Sequence, residues 1–130
     1  MKFRLQLLVE GTDDRAVATD ELACLERDVL GPATAGLTLD EGKLLLATCQ
    51  KRMILAQARD YEDLAQSCSE CATPRSVKGA SSIILRKLFG ALTIPCRRLY
   101  HCRCEGSGRS SFSPIAALFP ERSTPDTKVH

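Results

Sequence analysis

The sequence predicts an α+β chain: a β-hairpin at the N-terminus, one long amphipathic helix, then a second β-hairpin with paired cysteines at its base. Three observations carry this. Apolar and polar residues alternate in "KFRLQLLVE". A stretch from Thr38 to Gln66 has helical periodicity and, after Gly42, no Gly or Pro. Two alternating segments flank Gly90, with C-x2-C before them and C-x-C after.

In the first segment Phe3, Leu5, Leu7 and Val9 share one face, and Lys2, Arg4, Gln6 and Glu10 mostly the other, the signature of a half-buried strand. "GTDD" at 11–14 is a turn signal. "RAVATDELACLER" at 15–27 has a weaker strand pattern through Val17, Cys24 and Leu25 and completes a hairpin, although "DELACLERD" is also rich in helix formers. "GPATAG" at 31–36 breaks the chain.

Thr38 with Glu41 has the spacing of a capping box, so a helix starts there. Leu45, Cys49, Met53, Ala56 and Leu64 fall in one sector of it, and Ile54, Ala58, Tyr61 and Ala65 in the next. Lys51, Arg52, Arg59 and Glu62 lie opposite. A span of roughly 27 residues is about 40 Å long, more than a small domain needs to cover its own core. Part of its stripe is therefore expected to face a second copy, as a homodimer, or a further domain, which would make the chain an interaction or oligomerisation module; packing on the N-terminal hairpin alone is the other reading.

"SSIILRKLF" (81–89) and "ALTIPCRRLYHC" (91–102) form the second hairpin, folded about Gly90. Pro95 has no amide hydrogen, so its strand should be an edge or bulged there. The expected organisation is a hairpin and helix over 1–66, a cysteine-bearing module over 67–106, and a Ser/Pro-rich tail over 107–130, partly disordered. Within that tail, "IAALFPER" (115–122) is apolar enough to need a surface.

Folding about Gly90 sets Val77 opposite Arg103, and so brings Cys102 and Cys104 back to Cys68 and Cys71. Four thiolates from two short turns suit tetrahedral zinc, with Zn–S at about 2.3 Å. Such a site would be a structural one, closed to water, and the module zinc-ribbon-like. Metal binding on the order of 10 kcal/mol would stabilise a hairpin too small to stand alone. Two alternatives stay open: four free cysteines, or a redox dithiol at Cys68 and Cys71. His101 could compete as a ligand, but should point to the opposite strand face. Ala72 stands where zinc knuckles often place Gly to allow a left-handed residue. Cys24, Cys49 and Cys96 read as core residues.

Residues 1–71 carry 8 basic and 13 acidic groups, a net −5, whereas residues 72–109 carry 8 basic groups and only Glu105 as an acid, a net +7. Arg75, Lys78, Arg86, Lys87, Arg97, Arg98 and Arg103 are the candidate nucleic-acid contacts, with DNA the expected partner. Neither a signal peptide nor a membrane span is apparent, so a cytoplasmic location is expected. No membrane contact or small-molecule substrate is indicated.

"MKFRLQLLVE", "ACLERDVL", "GLTLDEGKLLL", "CSEC", "LRKLFGALTIPCRRLYHCRC" and "FSPIAALFPERSTPD" together resemble the N-terminal region of the IsKra-type insertion-sequence transposases. The likeness runs in order from residue 1 to about 126, and "DTKVH" departs from it. It implies zinc ligation by Cys68, Cys71, Cys102 and Cys104 and contact with element-end DNA. It also implies a transposase fragment without the catalytic domain. Phosphoryl transfer in that domain needs carboxylates that hold divalent ions. Asp13 with Asp14, and Asp60 with Glu62 and Asp63, read instead as solvent-side charges on a turn and a helix.

Overall fold

The computed structural model describes residues 1–11, 16–106 and 110–121. Two compact units divide the chain, Met1–Ile54 and Leu55–His130, so the division falls inside the long helix and not at the expected 66/67 boundary.

In the first unit β1 (Lys2–Glu10) pairs antiparallel with β2 (Ala16–Glu26). Leu5, Leu7 and Val9 are half-buried, and the residues between them are exposed, as the alternation predicts. Phe3 shares their side but stays 47% exposed. β2 is strand throughout, so the helical alternative for "DELACLERD" is excluded. Leu5 faces Ala23 and Gln6 faces Glu21, which leaves Leu22 as an extra residue in the ladder. That bulge resets the phase of β2 and explains why its strand pattern is weak in sequence. Cys24 is exposed rather than core, because it sits on the outer side of β2. The expected turn, with Asp13 and Asp14, lies mostly outside the described residues.

The helix α1 runs over Leu39–Ala65. Its capping box forms as the spacing requires: Glu41 N–H donates to Thr38 Oγ1 at 3.1 Å, and Thr38 N–H donates to Glu41 Oε1 at 2.9 Å. Arg27 closes on the same carboxylate at 2.5 Å. The Arg27 guanidinium, with the Thr38 amide, holds the Glu41 carboxyl down at about 2. The apolar stripe is only partly covered: Leu45, Cys49, Ile54, Ala56, Ala58 and Ala65 are half-buried, whereas Met53, Tyr61 and Leu64 are exposed, Leu64 at 72%. Outside the stripe Leu39 and Leu44 are also exposed, and the one buried residue of α1 is Glu62.

In the second unit β3 (Val77–Lys87) pairs with β4 (Gly90–Tyr100), which also takes the two-residue β5 (Ser111–Phe112) on its far side. The hairpin does not turn at Gly90. Lys87 faces Gly90, so Leu88 and Phe89 form the turn and Gly90 opens β4. Neither Leu88 nor Phe89 takes a positive φ; Gly90 does, at +119°, which places the needed freedom one residue late. Pro95 faces Ser82, and β5 touches only Leu99 and Tyr100, so Pro95 lies on an open edge of β4 as its missing N–H demands.

One face of this hairpin is a core: Ile83, Leu85, Leu92, Ile94, Cys96 and Leu99 are all buried. The tail contributes to it. α2 (Pro114–Leu118) starts on Ser113, whose hydroxyl accepts from Ala116 N–H at 3.3 Å, and it buries Ile115 beside β4. Residues 111–118 are thus part of this unit and not a separate tail.

Candidate metal centre

The two cysteine pairs come from two short turns. After α1 the chain makes a tight loop closed by the Ser67–Pro74 bridge, with Cys68 N–H donating to Thr73 O at 3.0 Å. Inside it Ala72 N–H donates to Cys68 O at 2.9 Å, and Ala72 takes φ +60°. The left-handed position that a glycine would fill is therefore kept by an alanine, at a cost of about 1–2 kcal/mol. The second pair follows β4. Cys102 precedes a single 3-10 turn over Arg103–Glu105, and Glu105 N–H donates to Cys102 O at 3.0 Å.

The register of the hairpin aligns these turns. Tyr100 N–H bonds Ser76 O at 2.9 Å, so two residues further on Cys102 stands level with Pro74, at the mouth of the Cys68–Cys71 loop. Turning at Leu88–Phe89 brings the pairs closer than the expected Val77–Arg103 pairing would; Val77 in fact faces Leu99.

The four sulfurs cluster. Cys68 Sγ lies 3.3 Å from Cys104 Sγ, Cys71 Sγ 3.4 Å from Cys102 Sγ and 3.6 Å from Cys104 Sγ. All four lie within 4.8 Å of one another. Four sulfurs around an ion at about 2.3 Å would be spaced by about 3.8 Å, within the observed spread. The cluster can hold a metal ion. Cys68 is buried, Cys102 half-buried, and Cys71 and Cys104 exposed.

Electrostatics within the cluster are uneven. The Thr73 hydroxyl and amide, then the Cys102 and Cys104 thiols, stabilise the Cys71 thiolate and bring its pKa down to about 6. The thiols of Cys68, Cys102 and Cys71 push Cys104 upward. Crowded thiols cannot all ionise unless a cation compensates them.

Arg75 fastens the two turns. Its Nε and Nη2 donate to Glu105 Oε1 at 3.0 and 2.9 Å, while Glu105 Oε1 also accepts from Cys102 N–H at 2.9 Å. The Cys102 amide, then Arg75, keeps the Glu105 carboxyl below its usual range. Arg75 Nη1 donates to Ala65 O at 2.5 Å and Ser67 O at 3.2 Å, and the guanidinium lies 5.2 Å from the Phe112 ring centre. Its side chain is only 9% exposed. Arg75 is therefore a structural tie between the two turns. Sequence reasoning missed Glu105, although it is the lone acid of the basic block.

Arg97 is also committed. Its N–H donates to Glu62 Oε2 at 2.5 Å, and its guanidinium meets Asp63 Oδ1 at 2.8 Å and Gln66 Oε1 at 3.3 Å. Glu62, expected on the solvent side, is instead buried against β4. Lys78 and Arg98 both reach Ser111 Oγ, at 3.4 and 3.2 Å. Arg86 and Arg103 are exposed, and Lys87 is half-buried. His101 stacks on Phe112 with ring centres 4.7 Å apart and pairs with Ser110 Oγ at 2.6 Å, outside the sulfur cluster as expected. Cys96 is core, 1% exposed.

Comparison with protein-family models, curated proteins and solved structures finds no match. Among the described residues no helix is long and apolar enough to cross a membrane.

Proposed function

We propose that Cys68, Cys71, Cys102 and Cys104 bind one structural zinc ion, and that the unit it stabilises is the DNA-contacting part of a transposase-related protein. The carrying observation is the sulfur cluster, with every Sγ within 4.8 Å of the others. Four thiolates suit zinc or iron; zinc adds no redox chemistry and fits a purely structural clip. With all four positions taken by protein, the ion activates no water, and no catalytic step is assigned to this chain.

The DNA reading rests on the cations that remain exposed and on the family resemblance. A groove of about 970 Å³ beside the clip is lined by Arg103, Tyr100 and His101. Arg86 adds a charge near the hairpin tip. These groups would neutralise phosphates and orient the module without reading bases.

The test is zinc content per chain together with binding to duplex DNA across a salt series. Expected are one zinc per chain and affinity that falls steeply with salt. Arg86→Glu with Arg103→Glu should lower affinity at least tenfold and flatten the salt slope by about 1 per lost contact. Zinc-loaded protein that ignores DNA at low salt, or binds it independently of salt, would remove the DNA reading. Iron, or no metal in a folded chain, would remove the zinc reading.

A further inference from the structure

The first unit has an open sheet edge whose chemistry selects its own partner. β1 has β2 on one side and, among the described residues, no strand on the other. A two-stranded sheet is at best marginal in water, and an uncovered strand edge is a template for another strand.

Hydrogen bonding at the start of the ladder shows which groups point to that edge. Met1 and Arg27 exchange both bonds, Arg27 N–H to Met1 O at 2.9 Å and the Met1 amine to Arg27 O at 3.1 Å. In an antiparallel pair such residues alternate. Odd residues of β1 thus turn their backbone groups toward β2, and Lys2, Arg4, Gln6, Leu8 and Glu10 turn theirs to the open edge.

We infer that β1 pairs antiparallel with β1 of a second copy of this chain, about a two-fold axis at Gln6. This register pairs even residues with even residues, as the backbone requires. It sets Lys2 against Glu10 of the partner subunit, and Arg4 against Leu8 of the partner subunit. On the apolar side Phe3 meets Val9 of the partner subunit and Leu5 meets Leu7 of the partner subunit. One strand supplies both halves of every match, the requirement for a closed two-fold interface. The product is a four-stranded sheet, β2–β1–β1–β2, with one continuous apolar face that covers part of exposed Phe3.

The other edge is unsuited to this. β2 carries Asp20, Glu21 and Glu26 and no base between Ala16 and Glu26. Two copies of β2 side by side would repel, and β1 against β2 of a second copy would not close. The inference rests on the first unit alone and is independent of the zinc reading.

Sedimentation equilibrium of the full zinc-loaded chain tests it. A dimer is expected, and Gln6→Pro should make it monomeric. That substitution removes only an edge-facing N–H, so the circular dichroism of the folded chain should persist. Lys2→Glu and Glu10→Lys should each weaken the dimer about tenfold, and the double variant should restore it. A wild-type monomer over a wide concentration range would overturn the inference. So would open-ended growth, or a dimer indifferent to Gln6→Pro but broken by Leu44→Glu on α1.

Discussion

The two hairpins are close in length and opposite in burial. β3–β4 hides six side chains, from Ile83 to Leu99, whereas no described residue of β1–β2 reaches that level. Both alternate apolar and polar residues, so alternation alone does not make a core. The difference lies in what each sheet is given to pack against. β4 has β5 along its end and α2 beside it, and a sulfur cluster with the Arg75–Glu105 tie pins its base. β1 and β2 have only each other in their sheet.

Metal removal should break this contrast most severely. Chelation, or Cys102→Ser with Cys104→Ser, removes a contribution on the order of 10 kcal/mol and should unfold the second unit. Loss of exchange-protected amides in β3 and β4, with β1 and β2 unchanged, is the expected hydrogen-exchange pattern. The effect should deepen on acidification, since thiols must lose protons to bind metal and Cys104 is shifted upward. Full protection of β4 in the metal-free chain would contradict the stabilising role of the clip.

Truncations measure the contrast directly. Ile94 is 0% exposed, and Ile94→Ala should cost about 2–5 kcal/mol in urea unfolding. Leu7→Ala on the half-buried face should cost only about 1 kcal/mol. A Leu7→Ala cost that rises with protein concentration would show that a second copy covers that face.

The smallest expected change is a gain. Ala72→Gly relieves a left-handed alanine and should stabilise the second unit by up to about 1 kcal/mol, read as a shift in its unfolding midpoint. No gain would mean that the loop holds Ala72 without strain.

Local rules were legible where the interaction is local. The Thr38–Glu41 box, the parity of β1 and the edge character of Pro95 follow from residues close in the chain, and the four cysteines, although 31 to 36 residues apart, converge because one hairpin folds its two ends together. The apex at Leu88–Phe89 was not legible, because Gly90 is needed just after the turn and so imitates its centre. Nor was the fate of the basic block. Arg75 and Arg97 look like any other cations until the fold delivers Glu105 to one and Glu62 with Asp63 to the other.

By itself, then, the sequence determined the strand parity of β1, the start of α1, the two alternating arms of β3–β4, and that four thiols share one site. Those outcomes depend on period and capping, which are properties of a few adjacent residues, and on the symmetry of one hairpin, which returns the second cysteine pair to the first. Only the tertiary structure decided which charges are structural, which apolar faces are covered, and which sheet edge stays open. Each of those depends on how side chains and strands from separate elements pack and pair, and no period or spacing along the chain encodes that packing.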